Sequence, residues 1–241
     1  CDGGVYESTD GGETFESRSN GLETFQIHRM GSHPFDPNIM ICGLQDNGTV
    51  MTFDGGETWE MKLAGDGMEC FFDHKNPQYV YASYYAGQLR RSNDGGNSFS
   101  YLKDINGAWI TPYFVHPIDP DTIYSANDDV YKKWPSSGLN PITTDLSPVL
   151  INTMAQSRVN PHHMILAGGG TIFEYTWNDT IYPVMISSDG GYNWNEVTDN
   201  IPGESRWVSR VVTHPYYENT FYVVRCGFSE GNKIYMTEDM G

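Results

Sequence analysis
Short runs in which apolar and polar residues alternate recur along the whole chain, and Pro-, Gly- or Asn-rich stretches interrupt them at regular intervals. A period of two is the signature of a strand with one face turned to a core. First strands are read at 25–32, 68–72, 109–115, 151–159 and 207–213, and second strands at 39–42, 79–83, 122–125, 164–167 and 220–226. Between each pair lies a turn of related composition. These turns are His33-Pro34-Phe35-Asp36-Pro37-Asn38, Asp73-His74-Lys75-Asn76-Pro77-Gln78, His116-Pro117-Ile118-Asp119-Pro120-Asp121, Asn160-Pro161-His162-His163 and His214-Pro215-Tyr216-Tyr217-Glu218-Asn219. Third strands follow at 49–53, 88–93, 184–188 and 233–237, and Val130-Tyr131-Lys132-Lys133-Trp134 supplies another. Helical periodicity is essentially absent.

The third strands run into a second repeated string. It reads Ser8-Thr9-Asp10-Gly11-Gly12-Glu13-Thr14-Phe15, then Thr52-Phe53-Asp54-Gly55-Gly56-Glu57-Thr58-Trp59, Ser92-Asn93-Asp94-Gly95-Gly96-Asn97-Ser98-Phe99 and Ser187-Ser188-Asp189-Gly190-Gly191-Tyr192-Asn193-Trp194. A shortened copy ends the chain at Thr237-Glu238-Asp239-Met240-Gly241. Successive aspartates lie 44, 40, 95 and 50 residues apart, so one copy is lost inside the long interval. The unit is therefore roughly 46 residues, a propeller-blade length. A carboxylate at the head of a hairpin accepts hydrogen bonds from the turn's own N–H groups, and the two glycines supply the positive φ angles. Asp10, Asp54, Asp94, Asp189 and Asp239 are accordingly structural residues of the turns.

Four antiparallel strands per unit make the blade of a β-propeller, so the predicted fold is all-β. The expected organisation is one propeller region over 1–241. It comprises a partial blade at 1–23, whole blades near 24–66, 67–107, 108–150 and 151–203, and a partial blade at 204–241. Both ends fall inside a blade, which reads as a segment of a longer chain; a five-blade ring with one surplus strand is the alternative.

The pattern S/T-x-D-G-G-x-T/S-W/F is the Asp-box, and its spacing resembles the Asp-box, or BNR-repeat, propellers of sortilin-like and glycosyl-hydrolase-like type. The stretch Gly43-Leu44-Gln45-Asp46-Asn47-Gly48-Thr49, followed by Gly65-Asp66-Gly67-Met68-Glu69-Cys70, is similar to blades of large bacterial proteins exported by type IX secretion. The resemblance implies an extracellular or cell-surface protein with further blades and domains in the parent chain, and it leaves the activity open. In such propellers the boxes lie on one face and ligands bind the other, at loops into first strands and loops from second to third strands. That implication nominates Tyr84, Tyr85, Trp109, Tyr175, Trp177, Arg206 and Trp207 as ligand-binding residues, with packing between blades as the alternative for Trp109 and Trp207. Aromatic rings beside carboxylates and amides suit a sugar, whose apolar face stacks while its hydroxyls need polar partners.

Catalytic chemistry has thinner support. A glycosidase of xyloglucanase type needs two carboxylates across a cleft. Asp66 and Glu69 are the local candidates, but their positions at a strand entrance point them to different sides, and Asp66 is expected to shape its own Gly-Asp-Gly turn. Asp128 and Asp129, being adjacent, also point apart. The Arg-Ile-Pro string of sialidases is missing, as are phosphate-loop and H-E-x-x-H motifs. The reading is a non-catalytic module for a glycan or protein ligand, with a glycoside hydrolase as the alternative.

Composition narrows the partners. Fourteen Lys and Arg against 31 Asp and Glu give a net charge of −17, which excludes a basic surface for nucleic acid or anionic membrane. No stretch approaches the roughly 20 apolar residues of a membrane helix, so no membrane insertion is expected. Cys1, Cys42, Cys70 and Cys226 lack metal-ligand spacing, so neither a metal nor a cofactor is expected, and Cys42 and Cys70 read as buried free thiols.

Overall fold
Alternation in the sequence becomes antiparallel pairing in the structure, a computed structural model that describes residues 5–18, 20, 25–133, 137–169, 182–202, 207–226 and 231–241. The hairpin β1 (Tyr6–Glu7) and β2 (Glu16–Ser17) comes first. Two four-stranded sheets follow: β3 (Ile27–Ser32), β4 (Met40–Leu44), β5 (Gly48–Thr52) and β6 (Glu60–Leu63), then β7 (Gly67–Phe72), β8 (Val80–Tyr84), β9 (Gln88–Ser92) and β10 (Ser100–Asp104). These belong to one compact unit, Cys1–Asp104. The second unit, Ile105–Gly241, holds β11 (Tyr113–Val115), β12 (Ile123–Ala126), β13 (Val130–Lys133) and β14 (Asn140–Pro141). It continues with β15 (Ile151–Gln156), β16 (Met164–Gly168), β17 (Val184–Ser187) and β18 (Asn195–Glu196), and with the three-stranded β19 (Val208–Thr213), β20 (Phe221–Arg225) and β21 (Ile234–Thr237). Each sheet runs in sequence order, the up-and-down order of a propeller blade. The only helices among the described residues are two three-residue 3₁₀ turns.

The cores lie between sheets. In the first unit Ile41 and Met51 pack against Cys70, Phe72, Val80 and Ala82 of the next blade. In the second unit Tyr124, Ala126 and Val130 meet Ile151, Met154, Met164 and Leu166, and Ile165, Ala167 and Val184 meet Val208, Val211, Phe221 and Val223. Second strands are covered on both faces, which is why β4, β8, β12 and β16 read as nearly unbroken buried runs. Burying a side chain such as Ile41 or Leu44 in full contributes about 1.5–3 kcal/mol. Backbones also meet directly: a Cβ on Gly43 would overlap the Met68 carbonyl, and one on Gly67 the Gly48 carbonyl.

Two kinds of turn close one end of each boxed blade. In the boxes the Thr52 hydroxyl donates to Asp54 Oδ1 at 2.8 Å and accepts the Gly56 N–H at 2.9 Å. The Thr58 N–H and hydroxyl then donate to the two Asp54 oxygens at 3.0 and 2.6 Å. The same set recurs around Asp10, Asp94 and Asp189. Trp59 and Trp194 fold back so that each indole N–H meets a glycine carbonyl of its own turn. The turns between first and second strands are capped by one acceptor at their head. His33, His116 and His214 each receive two backbone N–H groups on Nδ1, Asp73 receives two on Oδ1, and Ser157 receives two on Oγ. A backbone bond then joins the two turns at that end: Gly55 N–H to Asn38 O, Gly95 to Gln78, Gly190 to His162 and Met240 to Asn219.

Several expected boundaries shift. β3 starts at Ile27 rather than at 25, and β11 starts at Tyr113 rather than at Trp109. Pro112 has no N–H to pair, and the Thr111 hydroxyl closes a local turn on the Ala108 carbonyl at 2.7 Å, so Trp109 sits in a bend ahead of the strand. In the sheet without a box the return passes through Asp129, whose Oδ1 accepts the Thr143 hydroxyl at 2.8 Å and the Leu146 N–H at 3.2 Å. Asp129 is thus an anchor of that return rather than half of an acidic pair.

Candidate functional site
The end of each blade away from the boxes carries the turns from second to third strands and the links into first strands. In the first unit these are the β4–β5 turn at 45–47, the link at 64–66 and the β8–β9 turn Tyr85–Gly87. The first two are tied together. Gly48 donates its N–H to the Gly65 carbonyl at 2.6 Å, and the Asp46 N–H donates to Asp66 Oδ1 at 2.7 Å. Asp66 therefore staples a turn twenty residues away, instead of shaping only its own Gly65-Asp66-Gly67 turn. Asp46 and Ala86 hold φ of 58° and 52°, a left-handed backbone that non-glycine residues rarely adopt, at corresponding turns of adjacent blades.

Glu69 points elsewhere. It lies on β7 beside β3, where Arg29 Nε meets Glu69 Oε2 at 3.2 Å, with side chains 26% and 15% exposed. A second Arg29 nitrogen donates to the His28 carbonyl at 2.8 Å. Burial, then the Arg29 charge, holds the His28 imidazole below its ordinary pKa, against the opposing pull of Asp66 and Asp46. The two candidate carboxylates thus have separate partners.

Tyr84 and Tyr85 fare differently. Tyr85 is 43% exposed, and Tyr84 is half-buried beside Gly65, where an added Cβ would touch its ring. Arg90 stacks on Tyr84 with its guanidinium carbon 4.9 Å from the ring centre, and on Tyr101 at 5.2 Å. Sequence reasoning missed both Arg90 and Tyr101. Their strands alternate as expected, but only the pairing of β10 with β9 puts Tyr101 opposite Arg90.

In the second unit Trp109 is half-buried in the link before β11, a link whose Ile105 carbonyl accepts the Asn127 side-chain amide at 3.2 Å. Trp207 is half-buried just ahead of β19, and Gly169 lies so close that a Cβ there would press on its indole nitrogen. Tyr175, Trp177 and Arg206 lie outside the described residues, as do Cys1 and Trp134. Cys42, Cys70 and Cys226 are free thiols. Burial pushes the Cys42 thiol up to about 12 and Cys70 well above its usual range. Among the described residues no group of His, Cys, Asp and Glu is placed to hold a metal ion, and no helix is long and apolar enough to cross a membrane.

No protein-family model matches the sequence, and no curated protein matches it. Solved structures do. The chain superposes on an ancestral GH74 enzyme with a TM-score of 0.78 at 18% identity, covering 97% of this chain and 33% of that one. The GH74 enzyme of Niastella koreensis gives 0.70 at 22%, covering 98% and 41%. YCF48 bound to D1 peptide gives 0.62 at 13%, covering 92% and 66%. At these identities the likeness shows the fold: this chain consists of β-propeller blades of the kind found in those proteins, and it spans less than half the length of either GH74 chain.

Proposed function
We propose that these blades form an extracellular glycan-binding module of a larger bacterial protein, exported by a route such as type IX secretion, and that their described residues perform no hydrolysis. The observation that carries this reading is the separate engagement of Asp66 and Glu69. One carboxylate accepts the Asp46 N–H and the other pairs with Arg29, while the half-buried Tyr84 and the 43% exposed Tyr85 bring two rings to the β8–β9 turn. A glycosidase needs an acid and a base or nucleophile flanking one bond. A binding surface needs only rings to stack on sugar faces and polar edges to meet hydroxyls. The structural likeness to GH74 enzymes supports a glycan as the ligand class, and YCF48 bound to D1 peptide makes a peptide the competing class.

Affinity electrophoresis through gels cast with soluble polysaccharides, run alongside a reducing-end assay, tests the reading. The expected result is retardation on at least one polysaccharide with no release of reducing ends, and weaker retardation for Tyr85→Ala. Release of reducing ends that Asp66→Asn or Glu69→Gln abolishes in a folded variant would make the chain a glycoside hydrolase. Failure to be retarded by any polysaccharide would remove the glycan reading.

A further inference from the structure
In a chain that carries 31 acidic against 14 basic residues, two neighbouring arginines of β9 stack on tyrosines: Arg91 on Tyr79 and Tyr81, with its Nε buried, and, on the other side of the strand, Arg90. Its guanidinium lies between the rings of Tyr84 and Tyr101, at 4.9 and 5.2 Å, and donates one hydrogen bond, at 3.0 Å, to the Leu89 carbonyl. Among the described residues no carboxylate pairs with it, although Arg18, Arg29 and Lys62 are all paired. Guanidinium groups carry five N–H donors in a planar fork, so most of the Arg90 donors remain for solvent or a ligand.

The surroundings hold this group in place. Tyr84 belongs to β8, Arg90 to β9 and Tyr101 to β10, and Arg90 pairs directly with Tyr101 across the sheet. The β10 register shifts between Tyr101 and Lys103. Such a bulge re-aims side chains and is common beside functional sites. Tyr101 is 63% exposed, yet its hydroxyl accepts the Asp104 N–H at 3.1 Å, which fixes a ring that the core does not. The half-buried Tyr84, the exposed Tyr101 and a stacked, half-buried arginine with open donors thus form one preorganised platform, next to the Tyr85 turn.

We infer that Tyr84, Arg90 and Tyr101 form a subsite for a uronate residue of an acidic polysaccharide: the rings bear on the sugar face and the arginine fork takes the carboxylate. The inference rests on the glycan-binding reading above and goes beyond it by naming the sugar class. A bidentate arginine–carboxylate pair is stronger and more directional than a neutral hydrogen bond, and stacking between rings has already removed much of the arginine's freedom. Rings alone would not prefer a charged sugar over a neutral one.

Isothermal titration with tetragalacturonate, cellotetraose and pentaglutamate tests the subsite. It is run near 0.15 M salt, where the Debye length is about 8 Å and the net charge of the chain does not mask a contact. Wild-type protein is expected to bind tetragalacturonate about ten-fold or more tightly than cellotetraose. Arg90→Met should erase that preference, Arg90→Lys should restore only part of it, and Tyr101→Ala should weaken both sugars. Arg91→Met, which removes the neighbouring charge on β9 from its stack on Tyr79 and Tyr81, should leave the sugar preference unchanged. Equal affinity for the two sugars, a preference that survives in Arg90→Met, or pentaglutamate binding as tightly as tetragalacturonate would each overturn the subsite and leave the glycan module standing. Binding of neither sugar would overturn the subsite, and the polysaccharide gels would then decide whether the glycan module stands. Thermal melts accompany every variant. Should Arg90→Met fail to fold, Arg90→Lys decides, since a full tetragalacturonate preference in it would show that no planar fork is used.

Discussion
A box aspartate shows how much one residue can organise when its partners lie within four positions. Hydrogen bonds from the Thr58 hydroxyl, the Thr58 N–H and the Thr52 hydroxyl hold the Asp54 carboxyl down at about 2, and bonds led by the Ser92 hydroxyl do the same for Asp94. Both start from an ordinary value of 3.8. A carboxyl depressed in the folded state contributes stability in full above its unfolded pKa and loses it as pH falls through the folded value. Melting temperature should therefore be flat above about pH 5 and fall between about pH 4 and pH 2. Asp54→Ala should lower the melting temperature at neutral pH and flatten that acid decline, measured by circular dichroism. An unchanged acid profile in the variant would mean that the turn bonds do not contribute to stability.

At the scale of elements, what repeats is an acceptor at the head of the turn between first and second strands, filled by His33, Asp73, His116, Ser157 and His214. Imidazole, carboxylate and hydroxyl differ in every other respect, so the turn requires only a short side chain that accepts two N–H groups. His33→Asp should fold with nearly wild-type stability, whereas His33→Ala should cost about 1 kcal/mol or somewhat more through two amides left to solvent. Urea unfolding distinguishes the cases, and equal losses in the two variants would point to ring packing against Phe72 instead. Recurrence of His33, His116 and His214 at the blade period is enough to mark them as turn residues. Asp129 was less legible, because its partners Thr143 and Leu146 lie in a return that no repeat announces.

For the molecule as a whole, the acidic excess is the property most open to measurement. A net charge of −17 repels itself in the compact state, and the repulsion reaches about 30 Å at 0.01 M salt but only about 8 Å at 0.15 M. Raising sodium chloride across that range should raise the melting temperature. A fall would mean that the paired charges, such as Arg18 with Glu7 and Arg29 with Glu69, outweigh the excess. Each compact unit carries its own interblade cores, so the shift should be present throughout the transition by both tryptophan fluorescence and circular dichroism.

The sequence by itself determined the strands, their grouping into blades, the place of both turns and the chemistry of the Asp-Gly-Gly turn, because each depends on residues a few positions apart. Alternation sets which face is buried, and Asp-Gly-Gly or His-Pro sets where the chain reverses. The tertiary structure decided which side chains meet across that framework. Asp66 reaches the Asp46 N–H and Arg29 reaches Glu69 only because the blades approach closely at Gly43 and Gly67, and Trp109 misses its strand because of the turn ahead of Pro112. Arg90 lies between two tyrosines because β8, β9 and β10 pair in one register and β10 bulges beside Tyr101. Register and bulges are fixed by packing summed over many residues, and no short stretch of sequence contains that sum.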